Sequence, residues 1–150
     1  MASLPSGFND EPIRGERLHF SDAEFVVRAA ADATGGSISI VEEIAPLDTP
    51  LHVHEREDEI FYILDGDHVI QVGEQEFQVG SVALVFAPRG VVHSQRRVVP
   101  RTGRLLTMFL PGGFDGFYRE LSEAEAAGVI GPEAYARISK KYGITWAPSH

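Results

Sequence analysis

The stretch PLHVHEREDEIFYILDG, Pro50 to Gly66, decides the fold. His52 and His54 are separated by one residue, and on an extended strand such residues project from the same face. EIFYILDG is a fully apolar strand that runs into an Asp65-Gly66 turn. Between the two lies a short acidic turn that ends at Glu59. A third histidine, His93, comes from the distant strand-like segment VFAPRGVVHSQ. Three imidazoles and one carboxylate suit a single divalent transition metal: Fe, Mn, Ni, Co, Cu or Zn. The metal ligands expected here are His52, His54, Glu59 and His93.

Outward from this stretch the chain reads as short strands. FVVRAA and SISIVEEI precede it, the second alternating Ser37 and Ser39 with Ile38 and Ile40. DHVIQVGEQEFQVG reads as a hairpin about Gly73-Glu74, and VALVFAP and RLLTMFLPGG follow. A short strand is expected near Ile13 to Phe20. Strands at such intervals, joined by Gly and Pro turns, argue for an antiparallel sandwich or barrel. From Phe114 the period changes. Phe114, Phe117, Tyr118 and Leu121 are spaced as on a helix, Pro132 opens a second helix over EAYARISKKY, and Gly143 stops it. The fold class is therefore all-β with a helical carboxyl-terminal extension.

The pattern H-x-H-x4-E-x6-G from His52 to Gly66, followed by P-x-G-x2-H from Pro88 to His93, resembles the two motifs of the cupin superfamily. That resemblance implies a double-stranded β-helix (jelly-roll) barrel in one domain. Residues 1–35 would form an arm and first strands, 36–111 the barrel, and 112–150 the helical extension. Three positions depart from the family pattern. Pro46 stands where a glycine is usual, Val82-Ala83 where a Gly-Asp turn is usual, and Arg97 where an asparagine is frequent. Gly80 and Ser81 are then expected to supply the turn. The PGGF opening at Pro111 to Phe114 and the helical tail resemble quercetinase-like single-domain cupins. Capping one barrel end is the expected role of that tail.

Composition bounds the partners. A net charge of −9, from 13 basic and 22 acidic residues, argues against nucleic acid, which needs clustered Lys and Arg. The one basic cluster, Arg96 to Arg104, reads as a solvated hairpin. The chain has no cysteine, which excludes disulfides and thiolate chemistry and fits a cytoplasmic location. No apolar run approaches the 18 residues of a membrane span.

The period of two also selects pocket residues. If Glu59 faces inward, so do Phe61 and Ile63; if His93 does, so do Gln95 and Arg97. An inward Arg97 would grip a carboxylate or phenolate oxygen. Alternatively the strand bends after Ser94 and Arg97 joins the basic cluster. Met108 is read as core or pocket wall. His68 is read either as an acid–base group of the cavity or as a hydrogen-bonded strand residue. His19 and His150 look peripheral.

Four ligands leave coordination positions open, and open positions mean chemistry. The quercetinase-like resemblance implies a dioxygenase that opens or cleaves a ring of a small aromatic or enolic substrate with O2, Glu59 serving as ligand and base. The alternative is a polyketide cyclase or isomerase using the metal only as a Lewis acid, and after it a non-enzymatic small-molecule-binding cupin. Apolar strand surface in EIFYILDG and RLLTMFL predicts a homodimer.

Overall fold

The computed structural model describes residues 4–10 and 15–148. The strands are β1 (Glu16–Phe20), β2 (Ala23–Ala29), β3 (Ser39–Ile44), β4 (His52–His54), β5 (Asp58–Asp65), β6 (His68–Val72), β7 (Gln75–Val79), β8 (Leu84–Ala87), β9 (His93–Arg97), β10 (Arg104–Leu110) and β11 (Ile144–Trp146). Helices α1 (Asp115–Ala126) and α2 (Pro132–Lys141) lie between β10 and β11. Every paired strand is antiparallel. One sheet runs β1-β2-β3-β10-β5-β8, the other β11-β4-β9-β6-β7. The two face each other as a jelly-roll barrel. Ile13 and His150 lie outside the described residues. No helix among those described is long and apolar enough to cross a membrane.

Period-two alternation sets the core. Along β5, Glu59, Phe61 and Ile63 are buried while Ile60 and Tyr62 are half-exposed. Phe61, Ile63, Ile70, Val85, Ala87 and Leu105 fill one half of the barrel. The other half is aromatic: Phe25, Phe109, Phe114, Phe117 and Tyr118 pack with Val41, Leu121 and Ile144. In β10 the buried side chains are Leu105, Thr107 and Phe109, so Leu106 and Met108 point outward. Met108 is thus neither core nor pocket wall. It pairs with Ile40 and Ile60, and Ile60 pairs with Phe86. This row of apolar side chains lies on the outer face of the first sheet.

The second-motif turn is tighter than expected. Val82, not Gly80 or Ser81, takes the left-handed conformation, with φ 64°. Its N–H donates to the Ile63 carbonyl at 2.9 Å, and the Ala83 N–H donates to Gly80 at 3.1 Å. The turn that usually holds glycine is thus built with a β-branched residue, for which positive φ is an outlier. The expected helices form as α1 and α2, Pro132 standing in the first turn of the second. Gly143, at φ 73°, ends it where a side chain would press on Arg56. β11 was not expected. It adds Ile144 and Trp146 to the edge of β4, opposite His54 and His52.

Candidate metal centre

His52 and His54 lie on β4, Glu59 on β5 in the opposite sheet, and His93 on β9 beside β4, where it pairs with His52. All four are buried, and their ligand atoms lie within 4.8 Å of one another. Glu59 Oε2 is 2.8 Å from His93 Nε2 and 3.3 Å from His54 Nε2.

Each ring has its other nitrogen occupied. His52 Nδ1 is 2.7 Å from the Pro50 carbonyl, His93 Nδ1 is 3.4 Å from the Val91 carbonyl, and His54 Nδ1 is 2.6 Å from Glu57 Oε1. Acceptors at Nδ1 select the tautomer that carries its proton there, which leaves Nε2 of each ring as the free donor pair. Opposed ligands of one ion at about 2.1 Å stand about 4.2 Å apart, so this cluster fits a single divalent transition metal. The donor set does not distinguish among Fe, Mn, Ni, Co, Cu and Zn.

Burial and neighbouring charge tune the groups in opposite directions. Burial lowers His52 to about 4, assisted by His93 and His54 nearby, so it stays neutral near pH 7. Burial pushes Glu59 upward, but the three imidazoles outweigh it and hold the carboxyl below its ordinary range. His93 is raised, because Glu59 overcomes the cost of burial. Glu43, inward on β3, is pushed up to about 8 by burial and by Glu59.

The cluster opens into a cavity of about 70 Å³. Phe61 and Gln95 line it. Ile63 shares their inward parity but sits in the apolar half of the barrel, too far along β5 to reach the cavity. His68 and Arg97 face each other across β6 and β9 at the end remote from the His93–Val72 pair. His68 Nε2 is 3.1 Å from the Asp65 carbonyl, which fits the hydrogen-bonded strand residue. β9 stays paired through Arg97 rather than bending after Ser94. The Arg97 guanidinium turns to Asp48, 3.6 Å away, and lines neither the cavity nor the exposed hairpin. His19 is exposed, as expected.

Several further residues line the cavity. Glu43, Thr49 and Leu47 enter from β3 and the segment after it; Phe20 and Phe25 enter from the first two strands. The carboxyl-terminal extension supplies Phe114, Phe117, Tyr118, Leu121, Tyr135, Ile144 and Trp146. It is therefore a wall of the cavity and not merely a cap. Phe114 stands edge-on to His54 at 4.6 Å, and the Trp146 ring lies 4.9 Å from His52. Glu43 had a legible signal. In SISIVEEI, inward Ser39 and Val41 put Glu43 on the same face by parity. Glu57 had none, since any residue of an acidic turn can face solvent.

Residues 40–109 match the family model described as Cupin domain. The chain is similar to quercetin 2,3-dioxygenase of Bacillus subtilis (strain 168), with 30% identity over 122 residues, 80% of this chain and 34% of that protein. It thus spans about a third of that relative's length. Among solved structures it is similar to KdgF from Halomonas sp., with TM-score 0.64 and 16% identity over 74% of this chain and 99% of that one. An RmlC-like cupin from Shewanella frigidimarina NCIMB 400 gives TM-score 0.61 and 16% identity over 76% of this chain and 99% of that one. At these identities the two structures show a shared fold.

Proposed function

The chain belongs to the cupin superfamily, and from that premise we propose that it is a metal-dependent enzyme acting on a small aromatic or enolic substrate, a dioxygenase that cleaves the substrate with O2. The observation that carries the reading is the convergence of three Nε2 atoms and the Glu59 carboxyl at the head of an aromatic cavity. Similarity to a quercetin 2,3-dioxygenase over most of this chain supports the oxidative form.

His52, His54, Glu59 and His93 would hold a divalent transition ion, which would supply a Lewis-acidic centre for an enol or phenol oxygen. Glu59, held below the ordinary carboxyl range, takes the substrate proton. The deprotonated substrate is electron-rich enough to react with dioxygen. Phe61, Phe114, Phe117 and Trp146 offer flat apolar faces for a ring and exclude water. Among the described residues neither Lys nor Arg lines the cavity, so these residues offer a sugar phosphate no cationic partner there. Drug-sized ligands occupy pockets of about 300–1,000 Å³. At about 70 Å³ of enclosed space this cavity favours a compact ring over a three-ring flavonol.

The test is reconstitution with each first-row divalent metal in turn, with oxygen uptake measured against a panel of small enols and phenols. Glu59→Gln should keep much of its metal while turnover falls by about 10² or more. Product formed without oxygen uptake would move the assignment to a cyclase or isomerase. Ligand binding without turnover in every metal form would leave a binding protein.

A further inference from the structure

Gln95 lies on the same inward face of β9 as His93, two residues on, a strand rise of about 7 Å. It is 5% exposed and lines the cavity. Its amide nitrogen donates to the Leu47 carbonyl at 3.3 Å and, more weakly, to Glu43 Oε2 at 3.5 Å. Its Oε1 is buried and has no hydrogen-bond partner among the described residues. A buried amide oxygen left unpaired costs about 1–3 kcal/mol, so such an atom in a cavity wall marks where a donor is expected to sit. Glu43, buried alongside it, receives no hydrogen bond among the described residues other than that long one. The two stand in a lining that is otherwise aromatic and aliphatic, apart from Thr49, the polar atoms of Tyr118, Tyr135 and Trp146, and the metal ligands.

We propose that Gln95 and Glu43 form a second anchoring point of the cavity, which takes a neutral hydroxyl group carried by the substrate on the side away from its enol oxygen. This deepens the reading of the site as one for small enols, and rests on it. The hydroxyl donates a hydrogen bond to Gln95 Oε1, and Glu43 stands beside it in the same wall. The pair selects against two classes of analogue. A ring lacking the second hydroxyl leaves Oε1 unpaired, and one carrying a carboxylate there meets two oxygen-bearing side chains and, among the described residues, no cation. The substrate class is thus a hydroxylated, uncharged single-ring enol or phenol.

Kojic acid and allomaltol form a matched pair of probes, since both are hydroxypyranones with the same chelating enol and differ only in a hydroxymethyl against a methyl group. Calorimetry on zinc-loaded protein, in which no oxidation competes, should show kojic acid bound about tenfold more tightly than allomaltol, the scale of one buried hydrogen bond. In Gln95→Met, with metal content measured in parallel, the two should bind within about twofold of each other. Glu43→Leu should also weaken the preference, and because it leaves the Gln95–Leu47 hydrogen bond in place it carries the test if Gln95→Met does not fold. Equal binding of the two probes by the parent, or a preference that survives both substitutions, would overturn the anchoring point while leaving the enol site intact. Binding of both probes no tighter to zinc-loaded than to metal-free protein would overturn the enol site and this inference together.

Discussion

Replacing Glu57 tests how the metal centre is held from outside. The His54 Nδ1–Glu57 Oε1 contact is 2.6 Å long, and both side chains are buried. A hydrogen bond to a carboxylate in such surroundings contributes about 1.5–3 kcal/mol, and here it fixes the ring so that Nε2 faces Glu59. Glu57→Gln retains an acceptor oxygen and should weaken metal binding about tenfold. Glu57→Leu leaves the Nδ1–H without a partner, and about a hundredfold loss is expected, since each 1.4 kcal/mol is a factor of ten. Competition against a chelator of known affinity gives both values, and thermal unfolding of the metal-free variants separates lost affinity from lost fold. If both variants hold metal within twofold of the parent, the reasoning fails. Packing of Phe114 against His54, at 4.6 Å, would then be what orients the ring.

Three further outcomes follow from other parts of the molecule. Val82→Gly should raise stability by about 0.5–1 kcal/mol, because relief of a left-handed β-branched residue exceeds the extra chain freedom of glycine, and the unfolding midpoint should rise by about 2 °C. Glu43 bears on pH dependence. Its folded value of about 8 lies above the ordinary 4.5, so the folded state keeps a proton that the unfolded chain releases. The stability it contributes is full below pH 4.5 and is lost as pH rises through about 8, by on the order of 5 kcal/mol at most. Glu43→Gln should therefore flatten the decline in unfolding temperature of metal-free protein between pH 5 and 8, and an unchanged slope would refute the assignment. Finally, Leu84 and Phe86 are 59% and 51% exposed on the edge strand β8, continuous with Ile60, Tyr62 and Met108. We expect a homodimer through this sheet, and Phe86→Lys should shift light scattering toward the mass of one chain; a monomeric parent would refute it.

The ligand set was legible because strand parity and motif spacing fix direction without any knowledge of packing. His52 and His54 alternate on β4, and Glu59 and His93 follow from the turns around them. Parity also brings Phe61, Gln95 and Ile63 inward, but it carries no information on depth. Ile63 is inward yet in the other half of the barrel, and Arg97 lies beyond Gln95 against Asp48. For Met108, hydrophobicity suggested the interior, while its neighbours Thr107 and Phe109, both fully buried, fix the opposite parity. The helical tail is legible as helices from its period. That it lines the cavity follows only from where β11 docks, and ITW is too short to announce a strand.

The pairing of β11 with β4 joins the order of synthesis to the assembly of the metal centre. Pro50 to His93 emerge early and contain every ligand, yet the strand bearing His52 and His54 gains one of its two hydrogen-bonded neighbours only when Ile144–Trp146 has been made. A nascent chain thus displays three histidines and a glutamate before it can close a wall over them. Loss of Ile144–Trp146 would uncover the edge of β4 again, so the wall over the cluster depends on a strand that follows both helices.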